Sequence, residues 1–281
     1  MISRLSISFC FLGLLFGLPF TIQAQYFYKD ILKTKEINQE FASLKMSNTH
    51  LIKLKSFEDG DEPSEGFFCE KKINKDFSKS EMVSKSFITE ESLVSTFYSE
   101  KNEIIKVITT TSAVTNSIQY EYGLNSRLTK LIMVTSSNLD SSKIEETREY
   151  FYSANNNVEK MIRKKNGQLI ATITFQADEN GNIIEEKVVG SPGDIDYLYY
   201  YDTKNRLTDV VHYNTKAQKL LPDFIFDYNS KNQVKQMMSV DNNASNYLVW
   251  KYSYNEHNLP EIQKCYSKEK RLLGTIEFEY K

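Results

Sequence analysis

The chain has 281 residues, 35 Lys plus Arg against 37 Asp plus Glu for a net charge of -2, 40% hydrophobic residues, and only 10 Gly and 5 Pro. It is long and apolar enough to bury a core, which excludes a collagen-like or compositionally disordered chain. Its charges are spread evenly, so no basic stripe is present to hold nucleic acid.

Residues 1–25 read as an export signal. Arg4 gives a positive start, Ile7 to Phe20 is an apolar run broken by Gly13, Gly17 and Pro19, and Ala24 offers a small residue for cleavage. The expected mature start is Gln25 or Tyr26, and the expected location is periplasmic or extracellular. The run is shorter than the roughly 20 residues needed to cross a bilayer, so the mature chain is not expected to be membrane-spanning. Cys10 lacks the preceding small residues of a lipidated cysteine. Loss of Arg4 takes the net charge from -2 to -3. Disulfides form in exported proteins, and Cys69 with Cys265 is the pair that remains. A bridge between them is arithmetically possible, although free cysteine also packs as a small buried hydrophobe.

Residues 26–91 form a lead-in section. Ile37, Phe41 and Leu44 recur at helical spacing within Thr34 to Met46, with Thr34 as N-cap, which predicts one short amphipathic helix. Alternating runs Leu51 to Phe57, Phe67 to Ile73 and Met82 to Thr89 predict strands. The acidic loop Asp59 to Glu65 between the first two gathers carboxylates that could hold a hard cation, but it lacks the ligand spacing of an EF-hand and contains Pro63, so it reads as a solvated loop.

Residues 92–281 repeat one pattern eight times: aromatic, any residue, tyrosine, a short polar turn, then an aliphatic residue. The second slot is filled by Tyr98, Tyr122, Tyr152, Ala177, Tyr201, Tyr228, Tyr254 and Tyr280, at steps of 24, 30, 25, 24, 27, 26 and 26 residues. Such a period marks a repeat architecture. Both slots lie on one face of their strand, because side chains alternate. Four residues after the second slot stand Asn102, Ser126, Asn156, Gly181, Asn205, Asn232 and Asn258. Asn and Gly tolerate the positive φ that a tight reversal needs. Two residues later comes Ile104, Leu128, Val158, Ile183, Leu207 or Val234, and Leu259 comes one residue early in the seventh copy. Each copy is therefore a hairpin. Second polar reversals such as Lys165-Asn166-Gly167-Gln168 and Asn214 to Gln218 return the chain.

The predicted fold is all-β: an antiparallel meander of hairpin repeats with a period of about 26 residues, preceded by one short helix. Fifteen or more strands cannot stay one flat sheet, since twist accumulates. A strongly curved or closed sheet is expected, continuous with the lead-in strands.

The step Tyr201-Asp202 followed by Asn205-Arg206-Leu207-Thr208, and the tract Asp178-Glu179-Asn180-Gly181-Asn182-Ile183, resemble the YD repeats of Rhs-type bacterial proteins, across about residues 92–281. Asp follows the second slot only at Asp178 and Asp202; Ser99, Gly123, Ser153, Asn229 and Asn255 stand there otherwise. The resemblance implies a secreted or surface β-repeat scaffold without catalysis, and assigns no functional residue.

No nucleophile elbow, P-loop, zinc motif or dinucleotide fingerprint occurs. His50, His212 and His257 stand in different segments. Asp194 and Asp196 share a strand face at the reach of paired carboxylates, but acidic residues are too common here for that to stand out. No catalytic residue, metal site or cofactor is expected. The aromatic ladder is the strongest constellation. Its first reading is cross-strand pairing that holds register; its second is a stacking platform for sugar rings at Tyr197, Tyr199, Tyr200, Tyr201 and Trp250. The leading expectation is thus an exported, non-enzymatic scaffold or binding protein of the bacterial envelope with a protein or glycan partner. Alternatives are a periplasmic carrier of a lipid or other apolar ligand, and a glycan-active enzyme. An outer-membrane barrel is disfavoured because Glu146 and Arg148 share a face with Tyr150 and Tyr152, while Glu145, Thr147 and Glu149 occupy the other.

Overall fold

The repeat's turns are where local chemistry fixes the backbone most directly. The computed structural model describes residues 26–59, 61–189, 195–214, 218–241 and 246–281. The expected export signal, the Gly190-Ser191-Pro192-Gly193 turn and Asp194 lie outside these residues. The fourth turn residue has positive φ in each copy: Asn102 63°, Ser126 58°, Asn156 68°, Gly181 83°, Asn205 57°, Asn232 64° and Asn258 62°. At every one of these turns but that opened by Gly123, which has no side chain, the opening residue also accepts backbone N–H groups. Asp202 Oδ1 takes those of Lys204 and Arg206, Asn229 Oδ1 those of Lys231 and Gln233, and Ser99 Oγ those of Lys101 and Glu103. Asp, Asn and Ser are thus interchangeable at this position because each supplies the same acceptor.

Between the turns run antiparallel strands β1 (Leu51–Glu58), β2 (Phe68–Ile73), β3 (Lys79–Lys85), β4 (Ser92–Tyr98), β5 (Ile104–Thr110) and β6 (Val114–Tyr122). They continue as β7 (Leu128–Ser137), β8 (Lys143–Tyr152), β9 (Val158–Lys165), β10 (Gln168–Ala177), β11 (Ile183–Val189) and β12 (Ile195–Tyr201). The last six are β13 (Leu207–Asn214), β14 (Lys219–Tyr228), β15 (Val234–Val240), β16 (Tyr247–Tyr254), β17 (Pro260–Tyr266) and β18 (Leu272–Tyr280). Each pairs with its sequence neighbours, and β18 pairs with β1 from Ile52↔Tyr280 to Glu58↔Gly274. The expected closed meander is therefore an up-and-down barrel of 18 strands, with lead-in and repeat strands in one ring.

Two devices recur around this ring. A β-bulge sits immediately before the second slot, between Phe97 and Tyr98, Glu121 and Tyr122, Phe151 and Tyr152, Gln176 and Ala177, Tyr200 and Tyr201, Asp227 and Tyr228, and Ser253 and Tyr254. Bulges bend the strand and add twist, which is what closure requires. The second-slot tyrosine then braces its neighbour by donating its phenol to the carbonyl opening the preceding strand. Tyr122 donates to Ile104, Tyr152 to Leu128, Tyr201 to Ile183, Tyr228 to Leu207, Tyr254 to Val234 and Tyr280 to Pro260, at 2.5–2.9 Å. Opposite the repeat turns, Asn166 and Gly167, with φ 48° and 79°, form a two-residue hairpin.

The helix departs from expectation. Helix α1 spans Lys29–Met46, and Thr34 lies inside it, donating its hydroxyl to the Asp30 carbonyl, so it is not an N-cap. Strand β3 likewise begins at Lys79 rather than Met82 and ends at Lys85. The possible disulfide between Cys69 and Cys265 does not form: both side chains are buried, on β2 and β17, with β18 and β1 between them. Burial in apolar surroundings pushes the Cys69 thiol up to about 12.

The left-handed turn position makes a direct test. A Cβ at Gly181 would meet the Asn157 side chain at 3.0 Å as well as strain the backbone at φ +83°. Gly181→Val is expected to destabilise the fold by about 1 kcal/mol or more, read as the shift of the denaturant midpoint.

Candidate functional site

Eighteen strands enclose more room than strand side chains fill, and here the interior holds residues 26–46. The inner faces form two clusters bridged by Tyr120, Phe224 and Phe226. In one, Phe41 and Leu44 of α1 pack among Ile52, Cys69, Trp250, Cys265 and Ile276, and the Phe41 ring stacks on Tyr98 at 3.4 Å between centroids and 5° between planes. Asn38 Oδ1 accepts the Ile104 N–H at 2.8 Å, and Lys45 donates to Asn102 Oδ1 at 2.9 Å, tying the helix to two repeat turns. In the other cluster, Phe27 packs among Leu131, Tyr150, Ile173, Phe175, Tyr197, Tyr199 and Val210.

Three buried polar groups secure the plug's N-terminal end. Glu186 is fully buried, and its carboxylate accepts the Phe27 N–H at 2.8 and 3.0 Å, the Tyr28 N–H at 2.9 Å and the Tyr199 hydroxyl at 2.7 Å. A carboxylate at this place also suits the positive end of α1. Asp30 in the first helical turn receives the Arg148 guanidinium and the Tyr150 hydroxyl, each at 2.6 Å. Arg148 in turn donates to Glu146 Oε1 at 2.9 Å, and Arg163 grips both Glu146 oxygens at 2.9 and 2.7 Å. Both guanidiniums lie over the Phe27 ring, at 5.0 and 5.6 Å.

These surroundings act on the carboxyls in opposite senses. Burial pushes Glu186 up to about 7 against the lowering effect of its three donors, Tyr199 first. Glu146 is also pushed up by burial, but the Arg163 and Arg148 guanidiniums outweigh this and hold it below the ordinary carboxylate value.

The fourth repeat departs from the others where the plug enters. Ala177 stands in the tyrosine slot, so no phenol braces the hairpin from there. Tyr28 packs into the same cluster, with its ring 6.4 Å from Phe175 and 5.5 Å edge-on to Tyr199. Tyr26 lies 6.0 Å from Tyr197, 6.0 Å from Tyr199 and 5.8 Å from Phe224.

The rings expected to offer a sugar-stacking platform are therefore mostly enclosed. Tyr197, Tyr199 and Trp250 are 0%, 2% and 1% exposed, and Tyr201 is half-buried with its hydroxyl engaged. The structure brings Tyr197, Tyr199 and Tyr201 together around the plug but puts Trp250 in the other cluster. Tyr200 alone faces outward, 48% exposed. The platform is absent because the shared face of the aromatic slots is the interior one. Of the paired carboxylates, Asp196 sits opposite Lys187 in the ladder.

Glu186, Asp30, Arg148, Glu146 and Arg163 were not singled out by sequence reading as a site. Their available signal was the alternation of Glu146 and Arg148 with Tyr150 and Tyr152 on one strand face, which contradicts a purely apolar interior. Their partner segment lies more than a hundred residues away in the chain.

Fold and interior together define the class: a closed up-and-down β-barrel with its own N-terminal helix packed against the inner wall. No protein-family model matches the chain, and no curated protein sequence does. Among solved structures, it is similar to a porin-like protein from Bacteroides uniformis, with TM-score 0.39, 8% identity, and coverage of 83% of this chain and 98% of that one. A porin-like protein from Bacteroides vulgatus matches with TM-score 0.33 and 10% identity over 72% of this chain and 97% of that one. The TcdB2-TccC3-TEV structure matches with TM-score 0.36 and 12% identity over 86% of this chain and 12% of that one.

A carboxyl whose pKa rises on folding takes up a proton as the chain folds. The contribution of Glu186 to stability is thus present in full below its unfolded value near 4.5, and is lost as pH rises through about 7. Between pH 5 and pH 8 the unfolding free energy of the native chain should fall more steeply than that of Glu186→Gln. Chemical denaturation at several pH values measures the two slopes; parallel slopes would refute the assignment.

Proposed function

We propose that the mature protein is an exported, non-enzymatic β-barrel scaffold of the bacterial envelope that acts through its outer surface and turns. The observation that carries this reading is the occupied interior. Residues 26–46 pack against the inner wall, with Glu186 and Arg148 of the wall holding their N-terminal end and Asn38 of the helix accepting the Ile104 N–H. An interior so used is built for permanence.

The outer face supports a barrel standing in water. Lys53 pairs across strands with Glu70, Lys130 and Lys164 with Glu149, and Lys55 with Glu279, while Lys72 and Lys281 reach Glu70 and Glu279 from two residues away in sequence. Charges at such positions would cost a few kcal/mol each at the midplane of a bilayer. No helix among the described residues is long and apolar enough to cross a membrane. The export reading of residues 1–25 supports the envelope location, and the repeat resemblance supports a scaffold.

Native mass spectrometry of protein purified from an envelope fraction is expected to show the bare polypeptide mass. A stoichiometric co-purifying lipid would overturn the scaffold in favour of an apolar-ligand carrier.

A further inference from the structure

One interior polar cluster is not used by the plug clamp. On β13 and β14, His212 Nδ1 lies 2.9 Å from Asp223 Oδ1. The other carboxylate oxygen of this buried aspartate, Oδ2, has no hydrogen-bond partner among the described residues. The Tyr197 hydroxyl, on a fully buried ring 6.0 Å from His212, has none either. A buried carboxylate oxygen and a phenol left unpaired are costly, so this pair is built to receive a donor.

The plug is aimed at it. From the Glu186 clamp the chain runs backwards through Phe27 to Tyr26, whose ring touches Tyr197 on one side and Phe224, the neighbour of Asp223, on the other. The charges of Glu186 and Asp223 both act on the Tyr26 phenol, which burial foremost and then these carboxylates raise above its ordinary pKa, and Asp223 and Glu186 act likewise on Tyr197. Tyr26 therefore borders both Tyr197 and the strand segment that carries Asp223.

We propose that Asp223 Oδ2 and the Tyr197 hydroxyl form a receptor for the α-ammonium group of the processed chain, so that leader removal completes the plug. This rests on the export reading of residues 1–25. Hydrolysis of the peptide bond preceding Gln25 or Tyr26 adds OH to the leader's new carboxyl end and H to the new amine, which takes a proton from solvent. A neutral amide that cannot compensate Asp223 becomes a cation with three donors. The groups facing it are Asp223, His212, Glu186, Tyr26 and Tyr197. Of these His212 is the other group able to carry positive charge; its Nδ1 stands 2.9 Å from Asp223 Oδ1, the carboxylate that raises its pKa.

The test uses the full chain expressed with its leader under uniform ¹³C and ¹⁵N labelling, purified after export, with the titration of the unmodified α-amine followed by NMR through the shift of the adjoining Cα. The expected result is an intact mass starting at Gln25 or Tyr26 and an α-amine titrating above its ordinary range near ~8. Asp223→Asn should lower that value by about one unit or more, and Tyr197→Phe, which keeps the ring, should lower it less; the second variant serves if the first does not fold. A correct start with an amine that titrates normally and ignores both substitutions would overturn the receptor while leaving export intact. So would a start at Gln25 blocked by cyclisation of its side chain. Retention of residues 1–25 would overturn both readings.

Discussion

Ring closure is the constraint from which the rest follows. Once β18 pairs with β1, the number of strands sets the girth of the barrel, and the girth sets a volume that inward side chains alone cannot fill. The chain meets this by turning its first helix and the preceding residues inward. Their N-terminal backbone N–H groups then need partners, and Glu186 answers that need for Phe27 and Tyr28, while Arg148 meets the Asp30 carboxylate of the helix. The buried charges are a consequence of filling the lumen with a helix terminus rather than with side chains only.

The aromatic repeat can be understood in the same terms. Its first function is mechanical: a bulge turns the strand, the tyrosine reaches back to the preceding strand's first carbonyl, and the acceptor after it shapes the turn. Asp is one of three residue types able to play the last part, which is why Ser99, Asn229 and Asn255 replace it without altering the turn. The copies that conform hold the wall. The copy that does not, with Ala177, faces the segment that fills the barrel.

Much of the wall was legible because its determinants are local. A positive φ at Asn205 or Gly181 is visible in the residue type, and the alternation around Tyr199 and Tyr201 states which side chains share a face. Which face is inside was not legible, because that depends on closure by residues 220 positions apart, and it decided the fate of Tyr197, Tyr199 and Trp250. The helix start was misread for a related reason. Thr34 looks like a cap, whereas the groups that hold the N-terminal end are Glu186 and Arg148, distant in sequence and adjacent only in the ring. Cys69 and Cys265 likewise share one cluster while two strands keep them apart.

The seam between β1 and β18 also orders events in time. Every other strand finds its partner next in sequence, so hairpins form as the chain appears, but the closing pair joins Ile52 to Tyr280. Until the final strand is available, the growing sheet carries two open edges, each a template for unwanted pairing, and the contact that removes both spans nearly the whole chain and is slow to form. Strand β18 thus decides whether the ring closes or remains an open sheet with an unsatisfied first strand.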